Sequence, residues 1–73
     1  MKTKFQHIHA EELIGSESWS IRENVTNAPI GKVTVRDGKP SYYQYWQAEA
    51  TVEQVVEIGA FMVQFLEQKE GAV

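Results

Sequence analysis

A chain of 73 residues with a net charge of −3 is long enough for one small domain and too short for two. It has no cysteine, which excludes disulfides, thiolate metal ligands and cysteine catalysis. A chain of this length buries roughly 60% of its unfolded surface on folding, close to the lower limit for a stable monomer. Because small domains without disulfides often gain stability by oligomerisation, we expect self-association.

The chain shows no sign of membrane insertion or export. No apolar run reaches the roughly 20 residues that span a bilayer, and residues 1–10 lack the apolar centre of a signal peptide. We therefore expect a cytoplasmic protein with no membrane partner.

The first segment is predicted to form a strand at about residues 4–9, followed by an irregular stretch to Gly15, and a short N-terminal helix is the alternative. On a strand, His7 and His9 would share one face, which Glu11 could extend. A zinc site takes three or four protein ligands, whereas the chain has only these two histidines. We predict no metal and no cofactor, unless a dimer axis brings four histidines together.

Alternating apolar and polar residues predict a half-buried strand at about residues 18–25, with Trp19 and Ile21 facing inward. A turn leads from it into a β-hairpin with strands at about residues 30–36 and 39–47. Its loop is Asp37-Gly38, a pair that favours the two positive φ angles of a type I′ turn.

The two-residue loop fixes the register of this hairpin, so that Val33 faces Tyr42 and Lys32 faces Tyr43. Residues that share a face alternate along each strand. The inward face is predicted to carry Val33, Val35, Pro40, Tyr42, Gln44 and Trp46. The outward face carries a predicted partner-binding set: Lys32, Arg36, Lys39, Tyr43 and Tyr45.

Cations beside tyrosines could stack bases and contact phosphates, or bind an acidic protein surface. Residues 30–46 hold three cations and one aspartate, a net charge of +2 within a chain of −3. Three cations are few for nucleic-acid affinity, which depends on the number of phosphates neutralised. We therefore favour a protein partner over nucleic acid, and an ordinary solvated sheet face is the third alternative.

A helix is predicted from about residue 52 to 68, with Thr51 and Gln54 forming a capping box. Lys69 and Gly71 suit its C-terminal end. A narrow stripe is predicted to face solvent: Glu53, Glu57, Ala60, Gln64 and Glu67.

The rest of this helix is apolar over about 220°, whereas packing on one sheet needs little more than about 100°. A second protomer could cover the excess, or the N-terminal segment could wrap over it. The predicted dimer interface is Phe61, Met62, Phe65 and Leu66. Gly59, which costs roughly 1 kcal/mol relative to alanine, indicates a close approach there or is simply a tolerated glycine.

These elements predict an α+β fold, a three-stranded antiparallel sheet with one C-terminal helix packed on one face, and they leave the position of the first strand open. We expect a small homodimeric interaction or regulatory module without catalytic activity. The alternative is a nucleic-acid-binding module that uses the basic and aromatic hairpin face. A third hypothesis is an enzyme site formed between protomers by His7, His9 and a glutamate, although Ser16 lacks a nucleophile-elbow motif and there is no phosphate-binding loop.

Overall fold

A computed structural model describes residues 1–71, with side chains described as far as Glu67. Four strands precede one helix: β1 (Ile8–Leu13), β2 (Ser18–Glu23), β3 (Pro29–Arg36), β4 (Lys39–Gln44) and α1 (Val52–Gly71). The strands form one antiparallel sheet in the order β1-β2-β3-β4, and α1 packs on one face of it. The predicted α+β class is confirmed, but the sheet has four strands rather than three.

The fourth strand is the first segment of the chain, whose position the sequence left open: it pairs with β2, and it begins at Ile8 rather than at about residue 4. The chain turns back on itself between Phe5 and Ile8, where the Phe5 N–H donates to the Ile8 carbonyl at 2.8 Å. The Ala10 N–H then donates to the Thr3 carbonyl at 2.7 Å, so the first residues run along the outer edge of β1. The predicted strand at 4–9 and its helical alternative were both wrong, since neither anticipated this turn.

Within the sheet, β1 is in register with β2, so that Ala10 lies opposite Ile21. Ile8 and Ala10 are buried beneath α1, while His9 and Glu11 alternate onto the other face. Side chains therefore alternate between the two faces of the sheet in this segment, as expected of a strand. The strand begins four residues later than predicted.

The hairpin of β3 and β4 has the predicted register, with Val33 opposite Tyr42 and Lys32 opposite Tyr43. Its turn residues have positive φ angles of 54° at Asp37 and 74° at Gly38, as a type I′ turn requires. Local turn chemistry was sufficient to set this part of the fold.

Strand β3 contains a register irregularity against β2 and, next to it, a glycine that contacts β4 closely. The register shifts beside Ile21, which leaves Ile30 as an extra residue that is 4% exposed in the core. A Cβ at Gly31 would overlap the ring of Tyr42 and the Tyr43 carbonyl. Glycine at this position lets the tyrosine ring lie directly on the strand.

The core lies between the sheet and α1. Trp19 contacts Phe61 edge to face with ring centroids 5.4 Å apart, and Phe61 contacts Phe65 in the same way at 5.3 Å. The inward prediction for Trp19 is therefore confirmed. The buried hydrophobic residues that form the core are Ile8, Ala10, Ile21, Ile30, Val33, Ile58 and Phe61.

The inward prediction for Trp46 was wrong, because β4 ends at Gln44 rather than at about residue 47. The Gln44 side chain donates to the Ala48 carbonyl at 2.9 Å, and Gln47 adopts a φ of 71°. The chain thus leaves the sheet before Trp46, which is 84% exposed in the loop that leads to α1.

The predicted capping box of α1 is confirmed. The Thr51 N–H donates to the Gln54 side-chain oxygen at 2.9 Å, and the Gln54 N–H donates to the Thr51 hydroxyl at 3.2 Å. The helix continues to Gly71 instead of ending near residue 68. The predicted interaction of the Lys69 side chain lies outside the described residues.

Candidate functional site: two uncovered surfaces

The first uncovered surface lies on the side of the sheet opposite α1. It includes all five residues predicted to bind a partner, and we call it the open sheet face: Lys32, Arg36, Lys39, Tyr43 and Tyr45. Tyr43 is 62% exposed, and its ring meets that of Tyr45 edge to face at 6.0 Å. The hairpin register brings Lys32, Arg36, Lys39 and Tyr43 to one face as predicted. Tyr45 follows the end of β4 and joins them through its ring contact with Tyr43.

The cations of the open sheet face form two groups. Lys32 lies opposite Tyr43, whereas Arg36 and Lys39 lie opposite each other beside the turn. Arg36 lies four positions after Lys32 in β3, which corresponds to a distance of about 13 Å along the strand. One small anion cannot bridge both groups, but an extended acidic ligand could contact them together.

The second uncovered surface lies on α1. We call it the outer helix face: Val52, Val55, Val56, Gly59, Val63 and Leu66. Val52 is 76% exposed and Val56 is 64% exposed, while Leu66 is 44% exposed at the other end. A Cβ added to Gly59 would have no atom within 4 Å, so the predicted close approach at this glycine does not occur within the described chain.

The predicted dimer interface only partly coincides with this face. Phe61 is fully buried against Trp19 and has no surface left for a partner. Met62 and Phe65 are partly buried and pack against the core. Of the four residues, Leu66 alone contributes to the outer helix face.

The polar side of α1 is where the N-terminal segment docks. Glu57, expected to face solvent, has a side chain only 15% exposed and accepts hydrogen bonds from the His7 ring at 2.5 Å and the His7 N–H at 2.9 Å. One heptad further along, Gln64 exchanges two hydrogen bonds with the backbone of Lys2, both at 2.7 Å.

This docking excludes one of the two predicted ways of covering the helix. The N-terminal segment lies on the side of α1 that carries Glu57 and Gln64, instead of wrapping over the outer helix face. No other part of the described chain, residues 1–71, buries Val52, Val55 or Val56. The excess apolar surface therefore stays uncovered in the monomer.

The environment of Glu57 favours its charged form. Partial burial opposes ionisation, but the hydrogen bonds from the His7 ring, the His7 N–H and the Ile8 N–H outweigh it and hold the pKa of Glu57 below its ordinary value. No sequence pattern indicated this contact, because Glu57 falls on a polar stripe that is typical of a solvated helix surface.

The two histidines lie apart and contact different side chains. His7 precedes β1 and faces α1, whereas the ring of His9 lies 2.7 Å from the Asn24 side-chain oxygen on the other side of the sheet. The expectation that both share a strand face was wrong, because residue 7 lies in the turn. Among the described residues, no group of three or more histidines or carboxylates is placed to hold a metal.

An open groove of about 460 Å³ lies beside Phe65 of α1. Trp19, Val35 and Phe65 line it together with Glu12 and Glu17. Ser16 also borders the groove, and its hydroxyl donates to the Leu13 carbonyl at 3.2 Å. The groove therefore contains carboxylates and aromatic rings but no serine paired with a general base.

Comparison of the chain with known proteins yields no match to a protein-family model, to a curated protein or to a solved structure. In the part of the chain that the structure describes, α1 is not apolar enough to be a membrane-spanning helix.

Proposed function

We propose that this chain is a small homodimeric interaction or regulatory module without catalytic activity. The observation that carries the proposal is the outer helix face, a continuous apolar surface that the rest of the described chain leaves exposed. Solvent-exposed apolar patches of this kind are typical of protein interaction sites. We take a second copy of the chain as the partner, because it is present wherever the chain itself is present.

The open sheet face serves a second partner in this proposal. It lies on the other side of the sheet from α1, so dimerisation through the helix leaves it accessible. Lys32, Arg36 and Lys39 give it a positive charge, and exposed tyrosines are well suited to protein contacts. An acidic surface on another protein matches this chemistry.

The histidine and serine side chains considered for catalysis are hydrogen-bonded to other groups, which favours a non-catalytic role. His7 is bonded to Glu57 and His9 to Asn24. Ser16 is bonded to a backbone carbonyl. None of the three lies within a hydrogen-bonded pair of nucleophile and base.

The proposal is tested by the native mass in solution, measured by light scattering behind a sizing column over a range of protein concentrations. We expect twice the chain mass of 8.3 kDa at high concentration. Val56→Glu should shift the protein to monomer, because a carboxylate would be desolvated in an apolar interface. Val25→Glu is the matched control, since Val25 is 90% exposed in the turn between β2 and β3.

Two results would contradict the proposal. One is a monomer at every concentration for the unchanged protein. The other is a dimer that both glutamate variants leave intact, because the outer helix face would then not be the interface.

A second candidate function is nucleic-acid binding by the open sheet face. The observation that favours it is the exposed Tyr43 and Tyr45 pair with Lys32 opposite Tyr43, since aromatic rings beside cations can stack bases and neutralise phosphates. Binding should weaken steeply as salt is raised.

Gel shifts with single-stranded and double-stranded DNA and RNA at low salt would test it. Binding should be lost when Lys32, Arg36 and Lys39 are all changed to Gln. Absence of any shift at low salt would exclude this function while leaving the dimer unaffected.

A further inference from the structure

The outer helix face has the spacing of a helix-pairing seam. Val52, Val56, Gly59, Val63 and Leu66 follow one another at intervals of four, three, four and three residues. This is the heptad pattern that keeps a narrow apolar stripe turned toward a partner helix. Val55 widens the stripe on one side, so that the face covers about 100° of the helix.

The core-facing side chains of α1 lie elsewhere on the helix, at Ile58, Phe61 and Phe65. The N-terminal segment occupies a third side, at Glu57 and Gln64. The sheet and the N-terminal segment are thus already placed against other sides of α1. A second copy of the same helix is the occupant that the seam fits, because the seam is complementary to itself.

Gly59 lies at the centre of the seam, seven residues from both Val52 and Leu66. Within the monomer nothing approaches the position of its missing side chain, so the core does not explain the glycine. A glycine where two helices cross lets their backbones approach closely. The seam is therefore arranged symmetrically about a natural crossing point.

We infer that two copies of the chain pair through α1 in an antiparallel arrangement, with the twofold axis passing beside Gly59. This inference deepens the proposed homodimer and depends on it. Val52 then packs against Leu66 of the second copy, so the smaller side chain meets the larger one at both ends. Antiparallel helices also place opposite ends of their macrodipoles together, which is favourable.

The size of the seam sets the strength of this dimer. Its exposed side chains offer on the order of 450 Å² per copy, within the range of functional patches on monomers. A standard interface buries about 800 Å² per partner. We therefore expect a weak dimer that dissociates on dilution, rather than an obligate one.

The arrangement has a consequence for the open sheet face. The order of layers across the dimer is sheet, helix, helix, sheet, so the two open sheet faces point in opposite directions. Each can hold its own partner, and the dimer cannot place both against one continuous flat surface. The dimer thus links two acidic partners, one on each side.

Disulfide trapping tests this geometry, and the absence of native cysteine makes single-cysteine variants unambiguous. Val52 and Leu66 are about 21 Å apart along the helix, whereas a disulfide needs Cα atoms within about 7 Å. An equimolar mixture of Val52→Cys and Leu66→Cys should therefore give cross-linked dimers on mild oxidation. Val52→Cys alone should give none beyond the level of Val25→Cys, the control for random collisions.

The failures of the two proposals are distinguishable. A monomer by light scattering would overturn the proposed homodimer and this inference together. A dimer in which Val52→Cys cross-links to itself is a parallel pair, and it would overturn the antiparallel inference alone. A dimer with no cross-link in the mixture would do the same, because another surface would then form the interface.

A second variant tests the close crossing. Gly59→Leu should fold, since its side chain meets no atom near Cβ within the monomer, and circular dichroism at low concentration should confirm this. If backbones meet at Gly59, the dissociation constant should rise by about tenfold or more. A tighter dimer would mean that the leucine fills a gap, which would overturn the crossing at this residue.

Discussion

Helix α1 carries apolar side chains on two sides, and the two sides have opposite environments. On one side, Ile58 and Phe61 are 3% and 0% exposed beneath the sheet. On the other, Val52 and Val56 are 76% and 64% exposed. Both sides are apolar, so hydrophobicity alone does not tell which residues build the fold and which remain available for a partner.

The largest loss of folding stability is expected when a side chain on the buried side of α1 is truncated. Phe61→Ala removes a ring that contacts both Trp19 and Phe65, and large-to-alanine changes in a core cost about 3–5 kcal/mol. In a domain this small such a loss is most of the stability. We expect a largely unfolded chain at 25 °C by circular dichroism.

The matched control is Val63→Ala on the outer helix face, which should change the unfolding free energy of the monomer by less than about 0.5 kcal/mol at low concentration. Equal losses in the two variants would show that the two sides do not differ in their contribution to folding.

A smaller effect is expected from the side of α1 that holds the N-terminal segment. Glu57→Gln removes a charged acceptor of hydrogen bonds from His7 and Ile8, and we expect a loss of about 1 kcal/mol at pH 7 in urea unfolding. Glu67→Gln, an exposed glutamate on the same helix, is the control and should have little effect.

The pH dependence of this contact has a definite sign. The pKa of folded Glu57 is lowered from 4.5, so its contribution is fully present above the unfolded pKa and is lost as pH falls through the folded pKa. The unchanged protein should lose stability in this acidic range more steeply than Glu57→Gln. Parallel acid curves for the two proteins would rule out the contribution.

The smallest effect is expected at the centre of the outer helix face, and it has the opposite sign. Gly59→Ala adds a methyl group that meets no atom within 4 Å, and alanine is favoured over glycine in a helix by about 1 kcal/mol. Under dilute conditions the monomer should become more stable by up to this amount. A destabilised monomer in thermal melts would indicate a contact at Gly59 that the fold does not contain.

Local signals determined how much of this architecture could be predicted. The Asp37-Gly38 loop set the hairpin register, and Thr51 with Gln54 set the start of α1, because both depend on residues a few positions apart. The open sheet face followed directly from that register. These features needed no knowledge of the rest of the chain.

The errors arose where distant segments meet. The contact between His7 and Glu57 joins residues 50 positions apart in sequence, so the polar stripe of α1 was interpreted as solvated. Likewise, the alternation at Trp46 continued the pattern of β4, but the chain had already left the sheet at Gln44. Periodicity predicts which residues could share a face, whereas only the tertiary structure decides what covers that face.

The turn at the start of the chain also limits how this sheet can grow. Unpaired strand edges are templates for the addition of further strands and hence for fibres. Here Thr3 is bonded to Ala10 on the outer edge of β1, so the chain's own beginning occupies part of that edge, and Glu11 and Glu12 follow it. At the opposite edge, β4 carries Lys39 and Pro40, the second of which has no N–H to donate. Both edges of the sheet are therefore poor templates for the addition of a strand from another chain.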